Sequence, residues 1–257
     1  MRVGDVTAAL ERFAPLSIQE GWDNSGLCIG SPEDEVHGVL LGFDCTKDLV
    51  EEAVEKGCDM VVTHHPLIFH GLKSIRSGDP VSDAVIAAVK NGVAVYAAHT
   101  TADKVIAGVS GAMARRLGLR DIAILEDEGG YGLGAVGTLP RPMTGEEAAA
   151  YVKERFGLQV LRCSRPVERV ERVAMVGGSG ASEIGAARAA GAQLYISGDI
   201  SYHHFFTPDG FMVMDIGHFE SEVDIVEILS EVIRENFPTF AVRISDSLGR
   251  SNPVRYV

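Results

Sequence analysis

The stretch VVTHHPLIFHG, Val61 to Gly71, closes an apolar run on two adjacent histidines and a proline. The preceding residues, CDMVVT (58–63), are short, apolar and β-branched, and Pro66 cannot donate to a sheet, so a strand is expected to end at Thr63. Its neighbours repeat the pattern. EVHGVLLGFD (35–44) reads as a strand ending at Asp44, and VAVYAA (93–98) as one ending on His99. In between, KDLVEEAVEKG (47–57) places Leu49, Val50, Ala53 and Val54 on one helical face, with Gly57 as the stop. DPVSDAVIAAVKNG (79–92) has Pro80 in its first turn and Asn91-Gly92 at its end. Alternating strands and helices with near-continuous apolar strands predict a parallel sheet covered on both faces. Ligands of such sheets collect beyond the carboxyl ends of the strands. Asp44, His64, His65, His99 and Asp103 all fall there. Neighbouring strand residues face opposite sides, so His64 and His65 can turn into one cleft only if the chain leaves the extended conformation after Thr63.

The middle of the chain is Gly-rich at 126–142, then reads as helix (144–157), strand (LQVLRC), and strand, tight Gly turn, helix and strand over 170–199. Residues 210–237 read as a strand and one long amphipathic helix, and TFAVRIS (239–245) as a last strand. The expected architecture is two α/β domains of similar fold, the second inserted into the first. The first comprises 1–120 plus 212–257 and the second 121–211, with a metal site at strand C-terminal ends in the interdomain cleft.

With 257 residues, 46% of them hydrophobic, the chain can bury a large core. A formal net charge of -13 argues against a nucleic-acid surface, which needs clustered Lys and Arg. No apolar stretch is long enough for a transmembrane helix, and Asp5 and Glu11 interrupt any signal-peptide-like start, so a cytoplasmic location is expected. Cys28, Cys45, Cys58 and Cys163 form no CxxC pair and are expected to be buried free thiols.

Seven of the eight histidines cluster: His64, His65 and His70; His99; His203 and His204; His218. HTTAD (99–103) and HFESE (218–222) each set a histidine four residues before a carboxylate. His218 and Glu222 therefore share a helical face and can converge on one cation. Acidic residues complementing a helix N-terminus would explain the glutamates there but not His218. His64, His65, Asp103, His218 and Glu222 make three imidazoles and two carboxylates. That is more than one structural zinc needs, and it suits two cations sharing a carboxylate. The donor types fit Zn, Fe, Mn or Ni equally. HExxH, the zinc deaminase signature, the P-loop and GxSxG are absent. VGGSG (176–180) has the position of a phosphate-binding turn but is more simply a tight turn. GWDNSGLCIG (21–30), with the only Trp, reads as a loop anchored over the site.

WDNSGLCIG, THHPLIFHG, HTTAD, GYGLGAVG, SGDISYHHF and DIGHFESE, in that order, resemble the motifs of the Nif-three-like dinuclear metal family, whose members are commonly labelled GTP cyclohydrolase I type 2 homologues. The resemblance spans essentially the whole chain and matches the short form of the family. It implies two divalent ions per subunit and a toroidal homohexamer with the metal pairs facing an inner cavity. It puts the ligands on His64, His65, Asp103, His218 and Glu222, the residues already reached from spacing. Thr101 and Ala102 depart from the more usual Asn and Leu, which leaves the Asp103 ligand intact. His203 of SYHHF falls where the family tends to have a histidine and faces substrate or supports the ligands.

The family label implies hydrolytic opening of the guanine imidazole ring of GTP. Metal-activated water would attack C8, and His203 or His99 would shuttle protons. The expected function is thus a dinuclear-metal-dependent hydrolase acting on a nucleotide-like small molecule. The alternatives are a dinuclear phosphatase or phosphodiesterase, and a non-enzymatic hexameric metal-binding scaffold.

Overall fold

The computed structural model describes residues 1–257. In chain order the elements are α1 (Val3–Phe13), β1 (Gly26–Ile29), β2 (Gly38–Leu41), α2 (Lys47–Glu55), β3 (Met60–Thr63), α3 (Pro80–Asn91), β4 (Ala94–Ala97) and α4 (Thr100–Asp103). There follow α5 (Val109–Arg116), β5 (Arg120–Ile124), β6 (Ala135–Met143), α6 (Gly145–Phe156), β7 (Arg162–Cys163), β8 (Val170–Ser179), α7 (Ile184–Ala189) and β9 (Leu194–Gly198). The chain closes with β10 (Met212–Asp215), α8 (His218–Glu222), α9 (Ile225–Asn236) and β11 (Ala241–Ile244). The fold is mixed α/β with two sheets. No helix is long and apolar enough to cross a membrane.

Two compact units divide the chain: Met1–Ala102 with Ile225–Pro253, and Asp103–Asp224 with Val254–Val257. Residues 103–120 and 212–224, assigned to the first domain from sequence, thus belong to the second unit. The reason is packing: α5 and α8 both lie against β8.

In the first unit the sheet order is β1-β4-β3-β2-β11. β11, β2, β3 and β4 run parallel, as the alternating pattern predicts. β1 is an antiparallel edge strand on β4, in a segment read from sequence as a loop. Its alternation is obscured by a register shift between Leu27 and Ile29. Leu40, Val61 and Val95 of the parallel strands pack with Leu49, Val50 and Ala53 of α2 and Ala84, Val85 and Ala88 of α3. Burying each large aliphatic side chain contributes about 1.5–3 kcal/mol. Both helices carry the caps their sequences suggest. Thr46 accepts from the Leu49 amide at 3.2 Å, Asp79 accepts from Ser82 at 2.9 Å, and Gly92 ends α3 in the left-handed region at φ 66°.

In the second unit the order is β5-β6-β8-β9-β10-β7. β8, β9 and β10 are parallel and the remaining pairs antiparallel. The strand expected at LQVLRC shrinks to Arg162–Cys163 at the sheet edge, where Cys163 is exposed instead of buried. Val176–Ser179 continue β8, so VGGSG lies largely within a strand. The long helix expected before the last strand is two helices, α8 and α9, interrupted at 223–224. That interruption coincides with the boundary between the two units.

Candidate functional site

In the first unit the ends of three parallel strands carry the candidate groups. β3 runs out at Thr63, and the next two amides, of His64 and His65, both donate to the Phe43 carbonyl, at 3.1 and 3.3 Å. Two successive amides on one acceptor mean that the chain has left the extended form. The two imidazoles consequently lie side by side, with ring centroids 4.9 Å apart. The Phe43 ring packs against both.

Each histidine is held through Nδ1. His64 is fully buried, with Nδ1 3.1 Å from the Ala98 carbonyl oxygen at the end of β4. His65 Nδ1 is 2.7 Å from Asp44 Oδ1 at the end of β2. A carbonyl or carboxylate oxygen only accepts, so Nδ1 carries a proton, and in the neutral imidazole Nε2 is then the acceptor. This is the arrangement of a metal-ligating histidine oriented by its outer partner.

His99 follows the same rule, with Nδ1 2.7 Å from Asp23 Oδ1. The Asp23 side chain is wholly shielded. It also accepts from Ser25 Oγ at 2.7 Å, the Thr100 amide at 3.1 Å and Thr100 Oγ1 at 2.5 Å. Burial pushes this carboxyl up, but the hydrogen bonds from His99, Thr100 and Ser25 outweigh it and hold it well below the usual range. The His99 ring lies 5.5 Å from both His64 and His65, centroid to centroid. The loop Trp22–Asn24 is therefore anchored beside this cluster, as expected, and Asp23 is the anchor. His70 is exposed on the following loop, its ring 4.7 Å from that of Phe69.

In the second unit α8 presents His218 and Glu222 one turn apart, with Nε2 and Oε2 separated by 3.0 Å. His218 Nδ1 is 2.8 Å from Asp199 Oδ2. Asp199 sits in the left-handed region at φ 51°, which costs a non-glycine residue about 1–2 kcal/mol. Glu222 is buried against β8. A Cβ on Gly178, itself at φ 61°, would stand 2.2 Å from Glu222 Oε1, and one on Gly198 2.8 Å from the His218 backbone. Ser221 Oγ accepts from the Gly178 amide at 2.9 Å and donates to the His218 carbonyl at 2.7 Å. The glycines of VGGSG thus seat the α8 helix. Asp103 is half-buried at the end of α4.

His203 is exposed on a short 3-10 turn, its ring 5.4 Å from that of Tyr202. Sequence reasoning named five candidate donors but not the roles of Asp23, Asp199 and Gly178, which depend on partners remote in the chain. Burial raises the thiol of Cys28 to about 11 and that of Cys45 to about 12, which leaves both poor nucleophiles.

The donors fit divalent cations chemically. The first unit offers two imidazoles, and the second an imidazole and two carboxylates; these are donor types that suit a transition metal.

Residues 1–253 match the family model described as Duf34/NIF3 (NGG1p interacting factor 3). A Clostridium perfringens protein named GTP cyclohydrolase 1 type 2 homolog is 34% identical over 243 residues, covering 91% of this chain and 92% of the relative. The crystal structure of Staphylococcus aureus hypothetical protein SA1388 superposes with a TM-score of 0.92 at 27% identity, covering 100% of this chain and 99% of that one. A Bacillus cereus protein related to NIF3 has the same fold, with a TM-score of 0.92 at 21% identity and coverage of 100% and 99%.

Proposed function

Since the chain belongs to the Duf34/NIF3 (NGG1p interacting factor 3) family, we propose that it is a dinuclear-metal-dependent hydrolase of a nucleotide or related heterocycle. His64, His65 and Glu222 are of the residue types and number to hold an ion. In this reading Asp103 and His218 join them, and the five donors serve two cations. The observation that carries it is the shared anchoring: His64, His65 and His218 each have Nδ1 held on an oxygen acceptor, as metal-ligating histidines do. The bound ions would supply Lewis-acid activation of water.

The protein's own groups would do the rest. Asp44, Asp199 and the Ala98 carbonyl orient the ligands. His99, fixed by Asp23, has an acceptor at Nε2 and is our candidate for taking the proton of the attacking water. His203 is the second candidate, exposed and so able to meet a substrate from solvent. The names of the curated relatives point to GTP cyclohydrolase-type ring opening. A toroidal homohexamer and a cytoplasmic location belong to the same proposal.

Incubation of the metal-replete protein with GTP tests it. Release of formate, lost in His64→Ala and Glu222→Ala variants that keep their assembly state, is the expected result. Release of phosphate instead would assign a phosphatase. No turnover of any nucleotide would leave a metal-binding scaffold.

A further inference from the structure

Trp22 is the only tryptophan in the chain, and it is 60% exposed. Phe69, on the loop after the paired histidines, is 39% exposed. These two rings meet edge to face at 5.9 Å, and each lies 6.0 Å from the His99 ring. The three rings belong to the first unit and adjoin His64 and His65 through His99.

The group is built to hold its shape. Asp23, next to Trp22, is locked by five donors, among them His99 Nδ1 and the Asn24 amide. Asn24 Nδ2 donates to the Ile68 carbonyl at 2.5 Å and so ties the Trp22 loop to the Phe69 loop. Large aromatic surface left in water is unfavourable, and rigid anchoring of that surface adds nothing to the core. Pre-ordered aromatic faces beside polar groups are what a flat ligand needs, because little entropy is lost on binding.

We propose that Trp22, Phe69 and His99 form a stacking subsite for a flat heteroaromatic ring of the purine class. The proposal deepens the functional reading above and rests on the chemistry taking place at the His64–His65 end of this unit.

The single tryptophan makes the test direct. Intrinsic fluorescence of the full-length, metal-replete protein is followed during titration with guanosine and, separately, with ribose 5-phosphate, with free N-acetyltryptophanamide correcting for absorption by the base. The expected result is a saturable change with guanosine and none with ribose 5-phosphate. Phe69→Leu, which keeps apolar bulk but removes the π face, should weaken the apparent guanosine affinity about tenfold with metal content unchanged. Phe69→Ala should weaken it at least as much.

No saturable change with guanosine overturns the proposal, as does an equal response to ribose 5-phosphate. A concentration-dependent emission shift with no guanosine response also overturns it, since it would mean that a second copy of the chain covers Trp22. Metal content measured on the same samples separates the two readings. Retained metal without a guanosine response removes the subsite alone; a guanosine response without metal removes the dinuclear reading alone.

Discussion

His64 and His65 act as a pair because one carbonyl, that of Phe43, takes both of their amides. The ring nitrogens are then sorted by fixed acceptors: Ala98 for His64, Asp44 for His65 and Asp199 for His218. Loss of such outer partners usually costs 10–100-fold in metal affinity. Asp44→Asn and Asp199→Asn are therefore each expected to lower metal affinity by about that factor, as competition with a fluorescent chelator would measure. Asp23→Asn has a different signature. An amide can accept some of the five hydrogen bonds but presents donors to the rest, so a loss of about 1–3 kcal/mol in urea unfolding is expected with metal content unchanged. The candidate donors could be named from the sequence because strand ends and the four-residue spacing are local signals. Asp23 was not, because its partners His99 and Thr100 are more than seventy positions away.

At the scale of elements, α8 is only five residues long and is positioned from outside. Gly178→Ala would push a methyl to 2.2 Å from Glu222 Oε1 at a backbone φ of 61°. It is expected to destabilise by about 1–2 kcal/mol from backbone strain alone, and to displace Glu222, so that metal content falls together with the urea midpoint. Gly178 read as part of a tight turn because sequence shows that glycines are present, not what approaches them.

A second element-scale prediction concerns Glu126, after β5, and Glu183, before α7. The hydrogen bond with Glu183, then burial and repulsion by Glu183 and Glu128, raise the Glu126 carboxyl to about 7. A carboxyl with a raised folded value prefers the folded state while protonated. Its contribution is full below the ordinary value of 4.5 and is lost as pH rises through about 7. Wild type should therefore lose stability relative to Glu183→Gln between about pH 5 and 8, read from urea midpoints. The break between α8 and α9 escaped the sequence reading because hydrophobic periodicity carries on through it, with Val223 inside the break and Ile225 just after it.

Over the whole molecule, alternating strands and helices announced the parallel part of the first sheet, because buried parallel strands leave a continuous apolar signature. The antiparallel edges β1 and β7 are short and half-buried or exposed, so their pattern is weak. His64 and His65 belong to one unit, and Asp103, His218 and Glu222 to the other. Chelation is expected to lower the thermal midpoint, and re-addition of metal should restore it. The most direct test of the central claim is the metal content of the purified, metal-replete chain by elemental analysis. The account predicts about two divalent ions per chain, falling in His64→Ala and Glu222→Ala. Fewer than about one ion per chain under those conditions would contradict it.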